Sequence, residues 1–431
     1  MKISTKKTSY DKVLRRKKPK HRNPRKPIGL LRGIICAYSA VDLLGVGFKY
    51  TKTRMKEMGK GPWLVLMNHS SFIDLEIAHK VLPRRFCTVC TSDGFVGKEW
   101  LMRSIGCIPT QKFVTDPTLM GDMRYALNEL NTSVLLYPEA SYSFDGRATP
   151  LPRRMGLLLK RLNVPVVTIT TYGAFARDPL YNCLQKRKVK VSAHVHGLLT
   201  PEEIKEKSVQ ELDDILDLAF SFDNFAWQKE NNIHIKEDFR ADGLHRILYK
   251  CAACGDEHSM EGKGTTLTCH ACSKIYELTT LGELKASDGN TEFSHIPDWY
   301  SWEREQVRKD ILDGSYSLDV PVDIGMLVDF RSIYMVGEGR LRHSDEGFIL
   351  EGCDGKLDYR QPPQACYGLY ADYYWYEIGD VICIGNRDAL YYCFPKANTP
   401  VAKARLAAEE LFKLKKKHRK DARTEEQSDA Q

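Results

Sequence analysis

The chain has 431 residues, 42% of them hydrophobic and 28% charged, which is an ordinary globular composition with room for two or three domains. Its net charge of +8 is concentrated in residues 1–26, so the rest of the chain is not a basic body and no specific nucleic acid is expected as a partner. The cysteines are irregularly spaced, which excludes a secreted disulfide framework and favours a reducing, cytoplasmic location.

A basic tail, residues 1–27, precedes a region at 28–59 that begins with an apolar helical pattern. Arg32 and Asp42 interrupt this pattern, and no run reaches about 18 apolar residues, so a membrane-spanning helix is not expected. An apolar helix after a polybasic segment is typical of an interfacial helix, and we expect a peripheral protein on an anionic membrane surface, at the inner face of the membrane. The alternative is a core helix behind a nucleic-acid-binding or merely solubilising tail.

Residues 60–236 alternate between strand-like apolar runs and helical patterns, which predicts an α/β domain. Neither a Gly-x-Ser-x-Gly elbow nor a Gly-x-x-x-x-Gly-Lys-Ser/Thr loop occurs, so serine-hydrolase and phosphate-loop functions lack their motifs. Strands are predicted at residues 86–91, 133–137, 164–171 and 188–196, and helices at residues 98–105, 116–130 and 155–162.

The first candidate functional segment is residues 68–74, Asn-His-Ser-Ser-Phe-Ile-Asp, which follows the apolar run at residues 63–67. His69 in the turn after a buried strand and Asp74 in the first turn of the next helix can approach each other. Such a pair suits a general base and its orienting carboxylate, because Asp74 would hold the proton on one imidazole nitrogen and leave the other free for a substrate hydroxyl. The alternative is structural, with Ser71 and Asp74 as a capping box.

Three further segments follow: residues 106–112 (Gly-Cys-Ile-Pro-Thr-Gln-Lys), residues 137–143 (Tyr-Pro-Glu-Ala-Ser-Tyr-Ser) and residues 164–169 (Val-Pro-Val-Val-Thr-Ile). Together with residues 68–74 they resemble, in order and spacing, the four signatures of the glycerolipid acyltransferase family, the lysophosphatidic acid acyltransferase type. The resemblance implies transfer of a fatty acyl group from acyl-CoA or acyl carrier protein to the hydroxyl of a lysophospholipid such as 1-acyl-glycerol-3-phosphate.

The same resemblance makes His69 and Asp74 catalytic, and in the family arginines of the second and third signatures hold the acceptor's phosphate. Here those positions carry Lys112 and Tyr142, so one cation is lost. An arginine at position 142 is expected to be tolerated, because it would restore that cation. Two alternatives stay open: an acyltransferase with a non-glycerolipid alcohol acceptor, and an inactive lipid-binding scaffold. The candidate substrate-binding residues are Lys112, Glu139, Ser141, Arg147 and Arg154, with Arg153 as a further candidate cation.

Two Cys-x-x-Cys pairs lie between residues 245 and 282, and strand-like runs at residues 246–249 and 274–278 flank them. Fourteen residues separate the two pairs, one fewer than the usual four-cysteine zinc spacing, and with the flanking strand-like runs the pattern predicts a zinc ribbon. Four thiolates close a tetrahedral site and leave no open position for a substrate, so the Zn²⁺ is expected to be structural. The alternative is a reduced hairpin without metal. The predicted ligands are Cys251, Cys254, Cys269 and Cys272.

Residues 288–417 contain alternating runs and then one helical segment, which predicts an antiparallel β-rich domain with a C-terminal helix. The polar residues 418–431 are predicted to be disordered. The fold class predicted for the whole chain is therefore an α/β acyltransferase domain followed by a small zinc ribbon and a small antiparallel β domain.

Overall fold

The computed structural model of the protein describes residues 2–114, 116–152, 154–396 and 399–428. Within these ranges the chain forms three β-sheets, and we number strands and helices in chain order. The elements before residue 60 are β1 (Thr5–Lys7), α1 (Tyr10–Leu14), α2 (Gly29–Gly45) and β2 (Lys49–Thr53).

The elements that follow alternate between strand and helix, as predicted. They are β3 (Leu64–Met67), α3 (Ile73–Val81), β4 (Phe86–Thr91), α4 (Glu99–Ser104), β5 (Cys107–Thr110), α5 (Pro117–Arg124), β6 (Ser133–Leu136), α6 (Met155–Leu162), β7 (Val166–Tyr172), α7 (Ala174–Arg177), β8 (Ser192–Leu199), α8 (Pro201–Glu206), α9 (Val209–Ala219) and α10 (Asn224–Glu230).

Seven strands form one mostly parallel sheet in the order β2-β8-β7-β3-β6-β4-β5, in which only the β7–β8 pair is antiparallel. All four residues of β3 are buried, as expected for a central strand covered on both faces. Since the carboxyl ends of parallel strands meet at one edge, the residues that follow β3, β5 and β6 are gathered there. These residues include His69, Lys112 and Glu139, so the fold assembles the first three sequence signatures.

The cysteine-containing segment forms a four-stranded antiparallel sheet. Its strands are β9 (Met260–Lys263), β10 (Thr266–Cys269), β11 (Ile275–Leu278) and β12 (Leu284–Ala286), and they pair in the order β12-β11-β10-β9. The strand predicted at residues 274–278 is confirmed by β11. The one predicted at residues 246–249 is wrong, because residues Leu244–Arg246 form a short 3-10 helix and Ile247 and Leu248 are buried against other elements.

The remaining elements are seven strands and two helices, and the strands form an eight-stranded sheet together with β1. They are α11 (Ile296–Leu312), β13 (Leu318–Leu327), β14 (Ile333–Ser344), β15 (Gly347–Gly352), β16 (Leu357–Gln361), β17 (Tyr370–Trp375), β18 (Gly379–Gly385), β19 (Leu390–Pro395) and α12 (Val401–Ser428). Seven of the strands are antiparallel in the order β16-β15-β14-β13-β19-β18-β17. The antiparallel β region is therefore present, but it is larger than predicted, because β1 adds a parallel strand along β14.

The N-terminal segment differs from the tail predicted at residues 1–27. β1 pairs with Ile333–Met335 of β14, and α1 buries Tyr10 and Val13 in the core. The many lysines and arginines masked this short apolar pattern. The region predicted at 28–59 also contributes to the α/β sheet, because β2 pairs with β8.

The C-terminal end differs as well. α12 continues to Ser428, so residues 418–428 are helical instead of disordered, and residues 429–431 lie outside the described residues. No helix in the described ranges is long and apolar enough to span a membrane.

A single apolar core connects the predicted domains. It contains Phe144 from the third signature, Tyr276 from β11, Trp299 from α11 and Leu406 from α12. The rings of Tyr276 and Trp299 meet edge to face with centroids 5.0 Å apart. Burial of such large side chains stabilises the packing of the C-terminal half against the third signature segment.

Candidate active site

His69 and Asp74 lie side by side at the carboxyl end of β3. The Nδ1 atom of His69 is 3.2 Å from Oδ2 of Asp74, and the backbone N–H groups of Ser70 and Ser71 donate to the same oxygen at 2.8 and 3.0 Å. Thr171 donates to Oδ1 at 3.5 Å. The first-turn position of Asp74 in α3 therefore allows the contact that the sequence predicted, and it fixes the carboxylate with four donors.

Burial shapes the ionisation of this pair. The side chain of Asp74 is 1% exposed, and desolvation raises its pKa to about 7 although its hydrogen bonds favour the charged form. Burial, with the nearby charge of Lys112, lowers the pKa of His69 well below its ordinary value. The imidazole is therefore neutral near pH 7. With a proton on Nδ1 facing Asp74, its Nε2 is an acceptor, as a general base requires.

Two tyrosine rings hold the imidazole of His69 between them. The ring centroid of Tyr137 is 4.1 Å from that of His69, and the centroid of Tyr142 is 3.9 Å away on the other side, with interplanar angles of 26° and 28°. This stacking fixes the plane of the imidazole and covers its faces, so that Nδ1 can contact Asp74 and the other nitrogen is left for a substrate. A protonated imidazole would also face two electron-rich ring surfaces, which stabilise a cation.

His69 forms part of the wall of a cavity of about 630 Å³. This volume lies in the range of small-molecule sites, roughly 300–1,000 Å³. Most of the wall is apolar or aromatic, and Lys112 is the one Lys or Arg side chain among the described residues that line it. The apolar residues of the wall include Phe72, Leu75, Val89, Met102, Leu119, Met123, Leu136, Met155 and Leu158.

Lys112 occupies the position expected of a phosphate ligand, but its ammonium lies near two aromatic rings, one from the loop after β6 and one from the C-terminal sheet. Its Nζ is 4.3 Å from the ring centroid of Tyr370 on β17 and 5.8 Å from that of Tyr142. Lys112 also affects the carboxyl group of Asp372. Burial raises the pKa of Asp372 to about 7, although the nearby ammonium of Lys112 acts to lower it. The C-terminal sheet therefore contributes a titratable carboxyl group close to the ammonium of Lys112, near His69.

Glu139 and Ser141 hold the loop instead of lining the cavity. The buried carboxylate of Glu139 accepts from the backbone N–H of His69 at 3.2 Å and from the N–H and hydroxyl of Thr149 at 2.7 and 3.0 Å. The hydroxyl of Ser141 accepts from Nη2 of Arg405 on α12 at 3.0 Å. These contacts favour a positioning role for both residues.

The arginines predicted near the acceptor lie away from this cavity. Arg147 pairs with Asp145 at 3.1 Å and donates to the carbonyl of Pro297 and the hydroxyl of Ser301. Arg154 precedes α6 on the exposed surface, and its backbone N–H donates to Asp213 at 3.2 Å. Arg153 lies outside the described residues. Of the predicted cations, the structure thus brings Lys112 alone to His69.

A second cavity of about 570 Å³ adjoins the first, because Thr110 and Gln111 line both. Its wall is polar and carries both charge signs. Lys18 pairs with Asp388 and His21 with Asp122, while Lys20 and Arg22 of the N-terminal segment also line it. This cavity gathers the basic segment, the end of β5 and the C-terminal sheet.

The four cysteines form a compact cluster whose Sγ atoms all lie within 4.8 Å of one another. The Cys251–Cys272 and Cys254–Cys269 sulfur distances are 3.8 and 3.7 Å. Tetrahedral zinc with bonds of about 2.3 Å places its sulfurs roughly 3.8 Å apart, so this donor set fits the ion. The cluster could hold a metal, and none of its four cysteines lines the cavity that contains His69, which is consistent with a structural role.

Part of the chain is similar to known proteins. Residues 48–172 match the model of a protein family described as Acyltransferase. Human 1-acyl-sn-glycerol-3-phosphate acyltransferase beta is 26% identical over 129 residues, which cover 29% of this chain and 45% of that protein. The chain thus matches less than half the length of this relative. The crystal structure of PlsC, the 1-acyl-sn-glycerophosphate (LPA) acyltransferase from Thermotoga maritima, has a TM-score of 0.33 and 15% identity, covering 44% of this chain and 76% of that chain.

Proposed function

We propose that the protein transfers a fatty acyl group from a thioester donor to the hydroxyl of a lysophospholipid such as 1-acyl-glycerol-3-phosphate. One observation carries this proposal: His69, which is hydrogen-bonded to the buried Asp74, lines a largely apolar cavity. The family match over residues 48–172 supports it, because the match includes both residues and Lys112. An apolar cavity suits a fatty acyl chain, whose transfer from water is favourable.

In the proposed reaction the substrate hydroxyl attacks the thioester carbonyl while Nε2 of His69 takes the hydroxyl proton. The tetrahedral intermediate then collapses, the carbon–sulfur bond breaks, and the imidazolium returns the proton to the leaving thiolate. The products are an ester and a free thiol, and no covalent acyl-enzyme forms. Asp74 and the rings of Tyr137 and Tyr142 stabilise the imidazolium during the transfer.

Neither nearby serine is proposed as a nucleophile. The hydroxyl of Ser71 donates to the buried carboxylate of Asp178, and that of Ser70 accepts from Nδ2 of Asn68 at 3.1 Å. Both hydroxyls therefore support the turn that carries His69. We assign the acceptor's phosphate to Lys112, the cation of the cavity wall.

We infer that the donor is acyl-CoA or acyl carrier protein and that the phosphopantetheine arm of the donor lies in the second cavity. Both donors end in a phosphopantetheine arm, which needs a polar site next to the apolar one. The shared residues Thr110 and Gln111, with Lys20 and Arg22 on the polar side, support this assignment.

We propose that α2 binds an anionic membrane surface and makes the protein peripheral to the membrane. Its outward face carries an apolar stripe at helical spacing, in which Leu30 is 77%, Tyr38 70% and Val41 72% exposed. The adjacent segment supplies cations that anionic lipids attract. Leu30→Asp with Val41→Asp should weaken sedimentation with phosphatidylglycerol vesicles, whereas Leu312→Asp, at another exposed leucine on α11, should not. Equal binding by the wild type, the double variant Leu30→Asp/Val41→Asp and Leu312→Asp would refute this role for α2.

Acyl transfer itself can be tested with purified protein, labelled acyl-CoA or acyl carrier protein, and a panel of lysophospholipids and long-chain alcohols. His69→Ala and Asp74→Ala should each remove turnover, because a general base contributes about 10²–10⁴-fold. His258→Ala, at an exposed histidine, is the matched control.

The alternatives predict different results in the same assay. Turnover with alcohols and none with lysophospholipids would replace the glycerolipid acceptor by a non-glycerolipid alcohol. Binding of lipids without turnover would identify a scaffold. Activity of His69→Ala within tenfold of the wild type would exclude His69 as the base.

A further inference from the structure

The cavity around His69 extends beyond the acyltransferase-family segment. Part of its wall belongs to the C-terminal half, which the family match over residues 48–172 does not include. The contributions come from the segment after β16, the turn after β17 and helix α12: Gln364, Ala365, Cys366, Tyr367, Tyr376 and Phe412.

Helix α12 is fixed against the third signature by Arg405. Besides the hydroxyl of Ser141, its guanidinium donates to the carbonyl of Tyr142 at 3.3 Å and lies 4.2 Å from the ring centroid of Phe144. Arg405 is 3% exposed and pairs with Glu409 at 3.2 Å. A buried, fully paired arginine holds the helix in one position, so the cavity wall that α12 provides is well defined.

Phe412 lies further along the same face of this helix. Seven residues correspond to nearly two turns, so Phe412 faces the same side as Arg405 and lies about 10 Å from it along the axis. The Arg405 end contacts Tyr142, whose ring stacks on His69. The cavity thus extends from the catalytic histidine towards Phe412.

Apolar residues of α6 line the cavity together with Phe412. They are Met155 and Leu158, and Pro152 precedes them. The side chains of Pro152, Met155, Leu158 and Phe412 themselves offer no hydrogen-bonding group for a headgroup or a phosphate. Its chemistry matches the methylene chain of a fatty acyl group.

We propose that the C-terminal half completes the site for a fatty acyl chain and that Phe412 limits the length of the chain that fits. The substrate class in this assignment rests on the proposed acyl transfer. The chain belongs either to the donor or to the lysophospholipid acceptor, since both carry one. Phe412 is a specificity-determining residue, and it takes no part in the proton transfer.

The test compares chain-length profiles of the full-length wild type, Phe412→Ala and Phe412→Trp. One arm varies the acyl chain of the acyl-CoA from roughly 8 to 20 carbons with a fixed acceptor, a range suited to a cavity of this volume. The other arm varies the acyl chain of lysophosphatidic acid with a fixed donor. Tyr50→Ala, which removes a ring that is 40% exposed on β2, is the control. Melting temperatures establish that each variant is folded.

Phe412→Ala should move the preferred length upwards by about two or more methylenes, because the lost ring leaves space for the chain. Each further buried methylene is worth about fourfold in kcat/KM, converted from ~0.8 kcal/mol. Phe412→Trp should shift the preference to shorter chains. The arm that shifts identifies the chain. Unchanged profiles in both arms for folded Phe412 variants would overturn the proposal.

A binding measurement separates this inference from the proposed reaction. Displacement of the fluorescent fatty acid cis-parinaric acid by saturated fatty acids of graded length needs no turnover and can be followed in the His69→Ala background. If the preferred fatty acid length differed between His69→Ala and His69→Ala/Phe412→Ala, this would support the role of Phe412 in limiting chain length, even if the wild type transferred no acyl group. Identical displacement curves in this assay would overturn it even if acyl transfer were established.

Discussion

Nη2 of Arg405 on α12 lies 3.0 Å from the hydroxyl of Ser141 in the third signature, across 264 positions of the chain. In the family an arginine belongs to this signature itself, at the position of Tyr142. Here a cation reaches the same loop from the C-terminal helix. Arg405 holds the loop that stacks Tyr142 on His69. Because Arg405 does not itself line the cavity, we assign it as a positioning residue.

Replacing Arg405 should therefore cost both stability and turnover. Arg405→Met leaves the buried Glu409 with Arg304 as a remaining partner at 2.7 Å, so the free energy of unfolding should fall by less than the about 3–5 kcal/mol that an uncompensated buried charge costs. We expect kcat to fall more than the KM values change, because Arg405 acts through the loop that stacks Tyr142 on His69 and does not itself line the cavity. Urea unfolding and steady-state kinetics measure the two effects.

The double variant Arg405→Met/Glu409→Leu is the control. It also removes the carboxylate that has lost Arg405, and Arg304, which contacts Glu409 at 2.7 Å, keeps Glu410 at 3.1 Å. Stability should recover in part, whereas kcat should stay low because the contacts to Ser141 and Tyr142 are still missing. Full recovery of kcat along with stability would reduce Arg405 to a purely structural residue.

The His69–Asp74 contact could be predicted because it is local: five residues bridge a strand end and the first turn of a helix. Most strands and helices of the α/β sheet follow from apolar patterns that the structure confirms. The pairing of β1 with β14 and the contact of Arg405 with Ser141 could not be predicted, since each joins distant segments without any pattern of its own. Tyr142 was visible as a departure from the family, but its stacking on His69 depends on tertiary packing.

Acyl transfer should fall as the pH is lowered through about 7. The orienting form of Asp74 is the carboxylate, which is present above its pKa of about 7 and is lost below it. Because the pKa of His69 is lowered well below its ordinary value, protonation of the imidazole adds to the loss only at lower pH. The pH dependence of kcat/KM measures this acidic limb.

Thr171→Val provides a directional check. The hydrogen bond from Thr171 lowers the pKa of Asp74, so its removal should raise that pKa and shift the acidic limb to higher pH. The pKa of Glu139 is also about 7, but the charge of Asp74 helps to raise it, so a later ionisation of Asp74 should not move the pKa of Glu139 upwards. A limb that keeps its position in Thr171→Val would assign it to a group other than Asp74.

About one zinc ion per chain should copurify, because the sulfur distances fit a tetrahedral site. Cys254→Ser should lower the melting temperature, since structural zinc couples to local folding. The effect should reach α12, because Glu257, between the two cysteine pairs, accepts from Lys403 at 2.6 Å. Cys36→Ser is the matched control. Elemental analysis that finds no metal in protein prepared without chelators would contradict this prediction.

Charge at Lys112 should decide how the acceptor binds. If a phosphate lies beside its ammonium, Lys112→Met should raise the acceptor KM by roughly ten- to a hundredfold, with less effect on the donor KM. This factor corresponds to the loss of a charge-assisted hydrogen bond worth about 1.5–3 kcal/mol. Comparison of lysophosphatidic acid with a monoacylglycerol, which lacks the phosphate, is the control. Equal losses for the two acceptors would mean that Lys112 supports the site through Tyr370 and Asp372 instead.

Tyr142→Arg should lower kcat, and this reverses the tolerance expected from the family pattern alone. The ring of Tyr142 lies 3.9 Å from that of His69, and Nζ of Lys112 is 5.8 Å from the same ring. A guanidinium there would remove the stacking and place a second cation beside the imidazole, which disfavours the imidazolium that proton transfer creates. Tyr142→Phe keeps the ring and should retain most of the activity. If Tyr142→Arg instead improved the use of lysophosphatidic acid while Tyr142→Phe impaired it, the tyrosine hydroxyl and an additional phosphate cation would matter more than the stacked ring.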